Sequence, residues 1–410
     1  MAEKLQMFDK HRRIISLLLI IFILQPFLLV NISSSVYSAS TNWTEKNSWL
    51  KGVLLMLVSF IINRFSGIEN PPDETEQNNK EDPVIKENTA EVNNDTTEKN
   101  REVLGFHVNW LSASADSYQS LRTNHKNIDI VAPFWYTVKA DGSIKTRYGG
   151  YQYEVASYAK NRNIKVMPLI NNSQENNMIL IDPATRKKAV NNIIDLVDKY
   201  NYEGVNIDFE FIPQWTRDGY TSFIKELSTR LRKMEKMITI SVFPKINVPI
   251  DLQGAYDYSK LSPLVDRMVI MTYDNHWSTG PAGPIAPIDW VEKNIKYALE
   301  YLPADKILLG IANYGYNWAD GYGTTISTKQ AQELADNRGI EIKWHKDYQT
   351  PYFYYNDENG EKHEVWFESS NSLSFKLDLV NKYNLRGIGI WRLGNADNKF
   401  WENIENKIRL

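Results

Sequence analysis

Cysteine is absent from this 410-residue chain, and histidine occurs only six times. Without cysteine there can be no disulfide, no thiolate metal site and no cysteine nucleophile. The formal net charge is −3 and no long basic run occurs, so we expect no nucleic-acid partner. His107 and His276 lie near candidate strand ends without further histidines beside them, which argues against a transition-metal site.

The N-terminal region 1–65 contains two apolar segments. Basic "DKHRR" (9–13) precedes an uncharged run at 14–30, the pattern of a membrane signal or anchor whose basic end stays cytoplasmic. Small residues in "VYSAS" (36–40) could serve a signal peptidase, but the run could equally anchor the chain. The segment 49–65 could be a second span, an interfacial helix or a docking segment, and two spans would return the rest of the chain to the cytoplasm. We expect one effective signal or anchor, which places the C-terminal region outside the cytoplasm.

Residues 66–102 form a segment rich in acidic residues, Asn, Thr and Pro, with no aromatic residue. Such a composition cannot bury enough apolar surface to offset the entropy of ordering the chain. We expect an acidic, disordered linker that tethers the region 103–410.

From residue 103 onward, apolar strand-like runs alternate with amphipathic helix-like runs. One predicted helix opens with Asp182 and Pro183, an N-cap followed by proline at the first helical position. The eight strand candidates are 103–110, 128–138, 164–170, 204–211, 238–244, 267–274, 307–318 and 387–394. This pattern predicts an α/β fold, a (β/α)8 TIM barrel. An α+β insertion at about 319–375, with a β-hairpin at "DENG", separates strands seven and eight.

The stretch "YNYEGVNIDFEFIPQW" (201–216) alternates apolar residues with Asn206, Asp208 and Glu210. In a barrel, one face of each strand points inward, and active sites form at the C-terminal strand ends. We therefore expect both carboxylates inside the barrel mouth. Burial and mutual repulsion would then raise the pKa of at least one of them, which suits a proton donor.

Aromatic and acidic residues at the neighbouring strand ends complete a candidate sugar site. Tyr273 and Asp274 end strand six, Tyr314 lies at strand seven and Trp391 lies in strand eight. Trp135 of strand two is a further candidate for sugar binding, since an aromatic face stacks on the apolar face of a sugar ring. Three other interpretations stay open: carboxylates that are capping or salt-bridged, a divalent metal site, and tryptophans that belong to the core.

Three motifs resemble glycoside hydrolase family 18. "YEGVNIDFE" (202–210) is similar to that family's DGxDxDxE pattern, and "MTYD" (271–274) and "WRLG" (391–394) also match it. Longer strings such as "ILLGIANYGYNW" resemble the bacterial spore-cortex-lytic and YaaH-like N-acetylglucosaminidase branch. The resemblance covers about 103–410, with all three motifs in order at the predicted strands.

The resemblance implies a retaining mechanism in which the substrate's own acetamido group attacks the anomeric carbon. By position, Glu210 matches the general acid, and Asp208 matches the carboxylate that orients the acetamido group. Tyr273 matches the tyrosine that hydrogen-bonds that group. Asp274 matches a sugar-contacting residue, and Trp391 matches the floor of the subsite. The family requires no metal or organic cofactor.

Two positions depart from the family pattern. Glu203 replaces the first Asp, and Asn206, itself a candidate substrate contact, replaces the middle Asp of many chitinases. Because an Asn cannot share a proton with Asp208, the pH profile is expected to shift. The expected substrate is an N-acetylglucosamine-containing glycan of the cell wall, peptidoglycan or its fragments. A chitinase, a catalytically silent glycan-binding barrel and a structural role in spore or envelope assembly are the alternatives.

Overall fold

The computed structural model describes residues 101–108, 117–147, 150–172 and 177–409. The membrane region predicted over 1–65 and nearly all of the linker predicted over 66–102 lie outside these residues. Within them, no helix is both long enough and apolar enough to cross a membrane.

The strands of the described residues fall into two sheets. In chain order they are β1 (Glu102–His107), β2 (Ile130–Val138), β3 (Ile144–Thr146), β4 (Lys165–Val166), β5 (Leu169–Asn172), β6 (Gly204–Asp208), β7 (Met237–Val242), β8 (Arg267–Ile270), β9 (Ile307–Ala312), β10 (Tyr314–Ala319), β11 (Tyr322–Ser327), β12 (Lys343–His345), β13 (Thr350–Asn356), β14 (Lys362–Phe367) and β15 (Gly387–Trp391).

The first sheet closes into a parallel barrel. Its order is β1-β15-β9-β8-β7-β6-β5-β2, and β1 also pairs with β2, which completes the ring. The third position combines β4 and β5, and β3 adds to β2 as a short antiparallel neighbour. The eight parallel positions confirm the predicted (β/α)8 barrel.

Helices cover the outside of this barrel, and one further helix, the ninth in chain order, belongs to the insertion. They are α1 (Ser117–Thr123), α2 (Tyr153–Lys160), α3 (Met178–Ile181), α4 (Pro183–Tyr200), α5 (Arg217–Lys233), α6 (Ile250–Gln253), α7 (Tyr258–Leu261), α8 (Ile288–Leu299), α9 (Thr328–Asn337), α10 (Ser370–Lys382) and α11 (Asn398–Ile404). The predicted start of α4 is confirmed, because the Asp182 carboxylate accepts the Thr185 N–H at 2.8 Å and Pro183 occupies the first turn.

The apolar residues form separate layers inside and outside the barrel wall. The interior cluster includes Leu104, Phe106 and Leu169, whereas the larger cluster lies between the strands and the helices. At the N-terminal ends of the strands, the buried Glu102 carboxylate pairs with Arg267 at 2.8 Å and with Arg386 at 3.0 Å. The barrel is therefore filled and cross-linked at that end, which leaves the C-terminal strand ends for a site.

The insertion is a five-stranded antiparallel sheet in the order β11-β10-β14-β13-β12, with α9 packed on it. β13 and β14 confirm the predicted hairpin around "DENG". The single strand predicted over 307–318 is wrong. β9 ends at Ala312, and after Asn313 the chain turns into β10, which pairs with β11 and β14 instead of the barrel. A continuous apolar and aromatic run carries no signal for this change of sheet.

Candidate active site

The C-terminal end of β6 carries the two carboxylates. Asp208 is the last residue of the strand, and Glu210 follows two residues later. Side chains alternate along a strand, so Val205, Ile207 and Phe209 enter the core beneath the helices while the carboxylates occupy the other face. The expected placement inside the barrel mouth follows from this alternation.

Burial changes the protonation of both groups. It raises the pKa of Asp208 to about 7, against the opposing effect of hydrogen bonds from Ser241 and Glu210. Burial, followed by the negative charges of Asp208 and Asp274, holds the pKa of Glu210 well above its usual range. Glu210 is therefore the partner that keeps its proton, and it donates a hydrogen bond to the Asp208 carboxylate.

The main chain around Glu210 is held by two side chains. The Glu210 N–H donates to Asn172 Oδ1 at 2.8 Å, and Asn172 Nδ2 donates to the Glu210 carbonyl at 2.9 Å. The buried Tyr256 hydroxyl donates to the Phe209 carbonyl at 2.6 Å, and the Phe209 ring stacks on Phe223 at 5.0 Å between centroids. The carboxyl group of Glu210 thus extends from a fixed stretch of backbone.

Asn206 lies beneath Asp208 inside the barrel, with none of its surface exposed. Its Oδ1 accepts from the Thr239 hydroxyl at 2.8 Å, and its Nδ2 donates to Ser241 Oγ at 3.1 Å. The predicted contact of Asn206 with substrate is therefore wrong, because the amide is enclosed and both of its polar atoms are paired. Ser241 in turn hydrogen-bonds Asp208, so Asn206 supports Asp208 through that serine.

Phenols and a third carboxylate lie at the end of the sixth barrel position. Tyr273 is partly exposed, and burial together with the nearby negative charges raises the pKa of its hydroxyl, which therefore stays a donor. Asp274 Oδ1 accepts from Tyr314 at 2.7 Å and from Tyr316 at 3.2 Å. Because both tyrosines belong to β10, the insertion sheet contributes directly to this site.

Trp391 ends β15 with its indole partly exposed and its ring centroid 5.5 Å from that of Phe106. The segment after it is fixed by Asn313. Arg392 donates its N–H to Asn313 Oδ1 at 3.0 Å, and Asn313 Nδ2 donates to the Arg392 carbonyl at 2.7 Å. Trp391 therefore presents an aromatic face at the barrel mouth from a fixed position.

Trp135 does not belong to the site. It has no exposed surface and packs against Tyr136, Tyr151 and Tyr202 in the layer outside the barrel wall. Its indole N–H donates to Gln152 at 3.3 Å. The prediction that Trp135 binds sugar is wrong, because the interior face of β2 is occupied by Phe134 instead.

Sequence reasoning missed Asn172, Ser241 and Asn313, which position the candidate site. Each is a polar residue at or within one residue of the C-terminal end of an apolar barrel strand, and this is the available signal. Asn172 and Asn313 form hydrogen bonds with residues that lie 38 and 79 positions away in the sequence. Spacing along the sequence therefore could not pair them.

One group of metal-ligand side chains occurs among the described residues, at the β13–β14 hairpin. Ligand atoms of Asp357, Glu361 and His363 lie within 4.8 Å of one another. Asp357 Oδ1 already accepts the N–H groups of Asn359 and Glu361 at 2.9 and 2.8 Å. This geometry is that of a turn-stabilising carboxylate, and the group lies on the insertion sheet instead of a barrel strand end.

Comparison with known proteins gives a consistent family assignment. The family Glycosyl hydrolases family 18 matches residues 35–396. A putative sporulation-specific glycosylase, YdhD of Bacillus subtilis (strain 168), is 38% identical over 220 residues, which make up 52% of each chain. The cortical fragment-lytic enzyme of the same organism is 32% identical over 262 residues, or 60% of each chain.

A solved structure resembles the barrel closely. The chitinase from Chromobacterium violaceum ATCC 12472 superposes with a TM-score of 0.71 at 27% identity, covering 76% of this chain and 99% of that one. By contrast, the chain spans only about half to three fifths of the two Bacillus proteins that it matches.

Proposed function

Since this chain belongs to glycosyl hydrolase family 18 and is a glycoside hydrolase, we propose that it acts on N-acetylglucosamine-containing glycans and cleaves their β-linkages by a retaining, substrate-assisted reaction. The observation that carries the proposal is the Asp208–Glu210 pair at the C-terminal end of β6, where burial raises the pKa of both carboxyl groups and the charge of Asp208 raises that of Glu210 further. A carboxylic acid that keeps its proton near neutral pH is the group that can protonate a glycosidic oxygen.

In the first step, Glu210 gives its proton to the glycosidic oxygen as the bond from that oxygen to C1 breaks. The carbonyl oxygen of the 2-acetamido group forms a bond to C1 from the opposite face, which yields a cyclic oxazolinium ion and a free sugar alcohol. Asp208 accepts the acetamido N–H and stabilises its growing positive charge. Tyr273 donates its hydroxyl to the same group and orients it.

In the second step, a water molecule attacks C1 on the face that the leaving group vacated. Glu210, now a carboxylate, takes one proton from this water, and the C1–O bond to the acetamido oxygen breaks. Two inversions give net retention, and both the acid and the acetamido group return to their starting states. One protein carboxyl group therefore serves both proton transfers.

The remaining residues bind the reacting sugar. Trp391 offers the aromatic floor against which the sugar ring stacks. Asp274, with the Tyr314 hydroxyl hydrogen-bonded to it at 2.7 Å, faces the ring as a polar contact. Burial is the main cause of the raised pKa of Asp274, and its carboxyl oxygens can accept hydrogen bonds from sugar hydroxyl groups.

For the substrate we favour peptidoglycan or its fragments over chitin. The support is the similarity to a cortical fragment-lytic enzyme and the sequence of the N-terminal region. The uncharged run at 14–30 behind a basic flank would export or anchor the chain, and the linker over 66–102 would let the barrel reach wall polymer. Chitin is the second candidate, favoured by the structural similarity to a chitinase.

The test is hydrolysis by the purified full-length chain of muropeptide-bearing glycan fragments and of chito-oligosaccharides. Glu210→Gln should lower kcat about 10³-fold on whichever substrate is cleaved, because glutamine keeps the shape but cannot donate the proton. Glu300→Gln, an exposed position after α8, is the matched control and should match the wild type. Equal activity of Glu210→Gln and the wild type would contradict the assignment.

A further inference from the structure

An open groove lies beside the candidate active site. It has a volume of about 680 Å³ and is lined by Phe211, Pro213, Gln214, Trp215, Arg217 and Asp251. Trp215 is 68% exposed and Phe211 51% exposed. Large aromatic side chains that stay open to solvent next to each other commonly mark a binding surface.

The groove begins at the acid itself. Phe211 follows Glu210 directly, and their Cα atoms are about 3.8 Å apart across one peptide bond. Phe211 has a φ of 54°, and its ring contacts Phe243, which follows β7, at 5.6 Å between centroids. The groove therefore lies on the C-terminal rim of the barrel, over the fourth and fifth positions.

The direction of a bound chain follows from the barrel. Trp391 belongs to the eighth strand position and Glu210 to the fourth, and these positions are opposite in a ring of eight. A sugar that rests on Trp391 and places its glycosidic oxygen at Glu210 must continue toward the fourth position. The sugars on the leaving-group side then run over Phe211 and Trp215.

We propose that this groove binds the leaving-group side of a β-linked N-acetylhexosamine chain, with Trp215 as its stacking platform. The inference rests on the proposed function of Glu210. The composition suits the ligand, because Trp215 and Phe211 offer apolar faces while Gln214 and Asp251 offer hydrogen-bonding groups to hydroxyls and amides. Arg217 is about half exposed and is held against Asp257 at 2.9 Å, so its guanidinium is fixed at the rim.

The platform is rigid before any sugar binds. Trp215 lies in a short 3-10 turn, Gln214–Thr216, preceded by Pro213. The buried Thr216 hydroxyl donates to the Pro213 carbonyl at 2.7 Å. A Cβ built on Gly254 would lie 2.6 Å from Gln214 Cγ, which shows how closely the two segments pack. Preformed walls lower the entropy cost of binding.

A glycan that fills both sides of Glu210 is cleaved within its length. The platform lies beyond the acid, so a sugar bound on it is part of the leaving group, and a longer leaving group makes more contacts with the groove. Activity should therefore rise with the length of the substrate beyond the cleaved bond.

The experiment compares two substrates in the full-length chain. Chitohexaose extends over the groove, whereas 4-nitrophenyl N,N′-diacetylchitobioside places only an aryl group beyond the cleaved bond. Trp215→Ala should lower the ratio of kcat/KM for chitohexaose to kcat/KM for the aryl glycoside at least tenfold. Trp215→Phe should restore most of it, because a phenyl ring still stacks. Tyr301→Ala, an exposed aromatic after α8, is the control and should keep the wild-type ratio.

An unchanged ratio in Trp215→Ala would overturn the groove assignment while leaving the proposed function intact. If the wild type hydrolyses neither substrate, muropeptide-bearing glycan fragments test the proposed function instead, and no hydrolysis of these fragments either would contradict it. Calorimetry then tests the groove separately, by measuring the affinity of the Glu210→Gln variant for chitohexaose with and without Trp215→Ala. Tenfold weaker binding of chitohexaose on adding Trp215→Ala supports the proposed groove, and equal binding overturns it.

Discussion

The side-chain amide of Asn172 and the main chain of Glu210 are joined by two hydrogen bonds of 2.8 and 2.9 Å, one in each direction. Asn172 ends β5, the third barrel position, and Glu210 follows β6, the fourth. A side chain on one strand thus fixes the backbone that carries the proposed acid on the next. Asn313 holds both main-chain groups of Arg392, which follows Trp391, in the same way.

Asn172→Ala is expected to lower kcat about 10- to 100-fold with a smaller effect on KM, because loss of the clamp moves the acid by a fraction of an ångström. Asn172→Asp should keep the bond from the Glu210 N–H but place a negative charge beside the acid, so the alkaline limb of the kcat profile should move to higher pH. The measurement is kcat against pH for both variants.

The matched control for Asn172 is Asn192→Ala. Asn192 donates to the Gly142 carbonyl at 2.7 Å, so its loss also removes a side-chain to main-chain bond, but one on α4. If Asn192→Ala and Asn172→Ala lower kcat equally, the clamp has no specific role in positioning Glu210.

The pH dependence of kcat/KM should follow the coupled carboxyl pair. Activity should rise as Asp208 ionises, with a midpoint near its pKa of about 7, and fall at higher pH as Glu210 loses its proton. The hydrogen bond from Ser241 lowers the pKa of Asp208. Ser241→Ala should therefore shift the rising limb to higher pH, and a shift to lower pH would contradict the arrangement.

Burial of the Asp208 carboxyl group also lowers the stability of the folded protein when this group is ionised. The pKa of Asp208 in the folded protein, about 7, exceeds its value of 3.8 when unperturbed. Its contribution to stability is thus complete below pH 3.8 and is lost as the pH rises through about 7. Asp208→Asn removes this loss and should raise the free energy of unfolding at pH 8 by on the order of 4 kcal/mol relative to the wild type. At pH 4 the two should differ little.

Urea unfolding of both proteins at pH 4 and pH 8 measures this difference. A variant less stable than the wild type at pH 8 would show that Asp208 ionises without cost in the folded state. The exposed substitution Asp289→Asn serves as the control, since the Asp289 carboxylate lies on the surface of α8 and pairs with Lys293.

Periodicity predicted the barrel well because it depends on short-range alternation. The inward face of β6 is visible in the spacing of apolar residues, and the structure has it as predicted. The change of sheet after Ala312 was missed because β9 and β10 are both apolar and only Asn313 separates them. Nothing in that run indicates which partner strand each half will take.

The wrong site residues show a different limit. Trp135 and Asn206 have the residue types expected of a sugar site. Residue type alone, however, does not reveal whether a side chain points into the barrel or how far below the barrel mouth it lies. A register shift in the pairing of β2 with β5 follows Phe134, and Trp135 packs outward. Asn206 lies one layer below the mouth, where its amide meets Thr239 and Ser241 instead of solvent.

The most direct test of the proposed chemistry is the configuration of the sugar at the instant of cleavage. Proton NMR of a β-linked N-acetylglucosamine oligosaccharide during the first turnovers, before the product mutarotates, reports the new anomeric centre. The attack by the acetamido group and then by water, with Glu210 serving both steps, predicts the β-anomer as first product. Initial release of the α-anomer would mean direct displacement by water and would contradict the substrate-assisted mechanism.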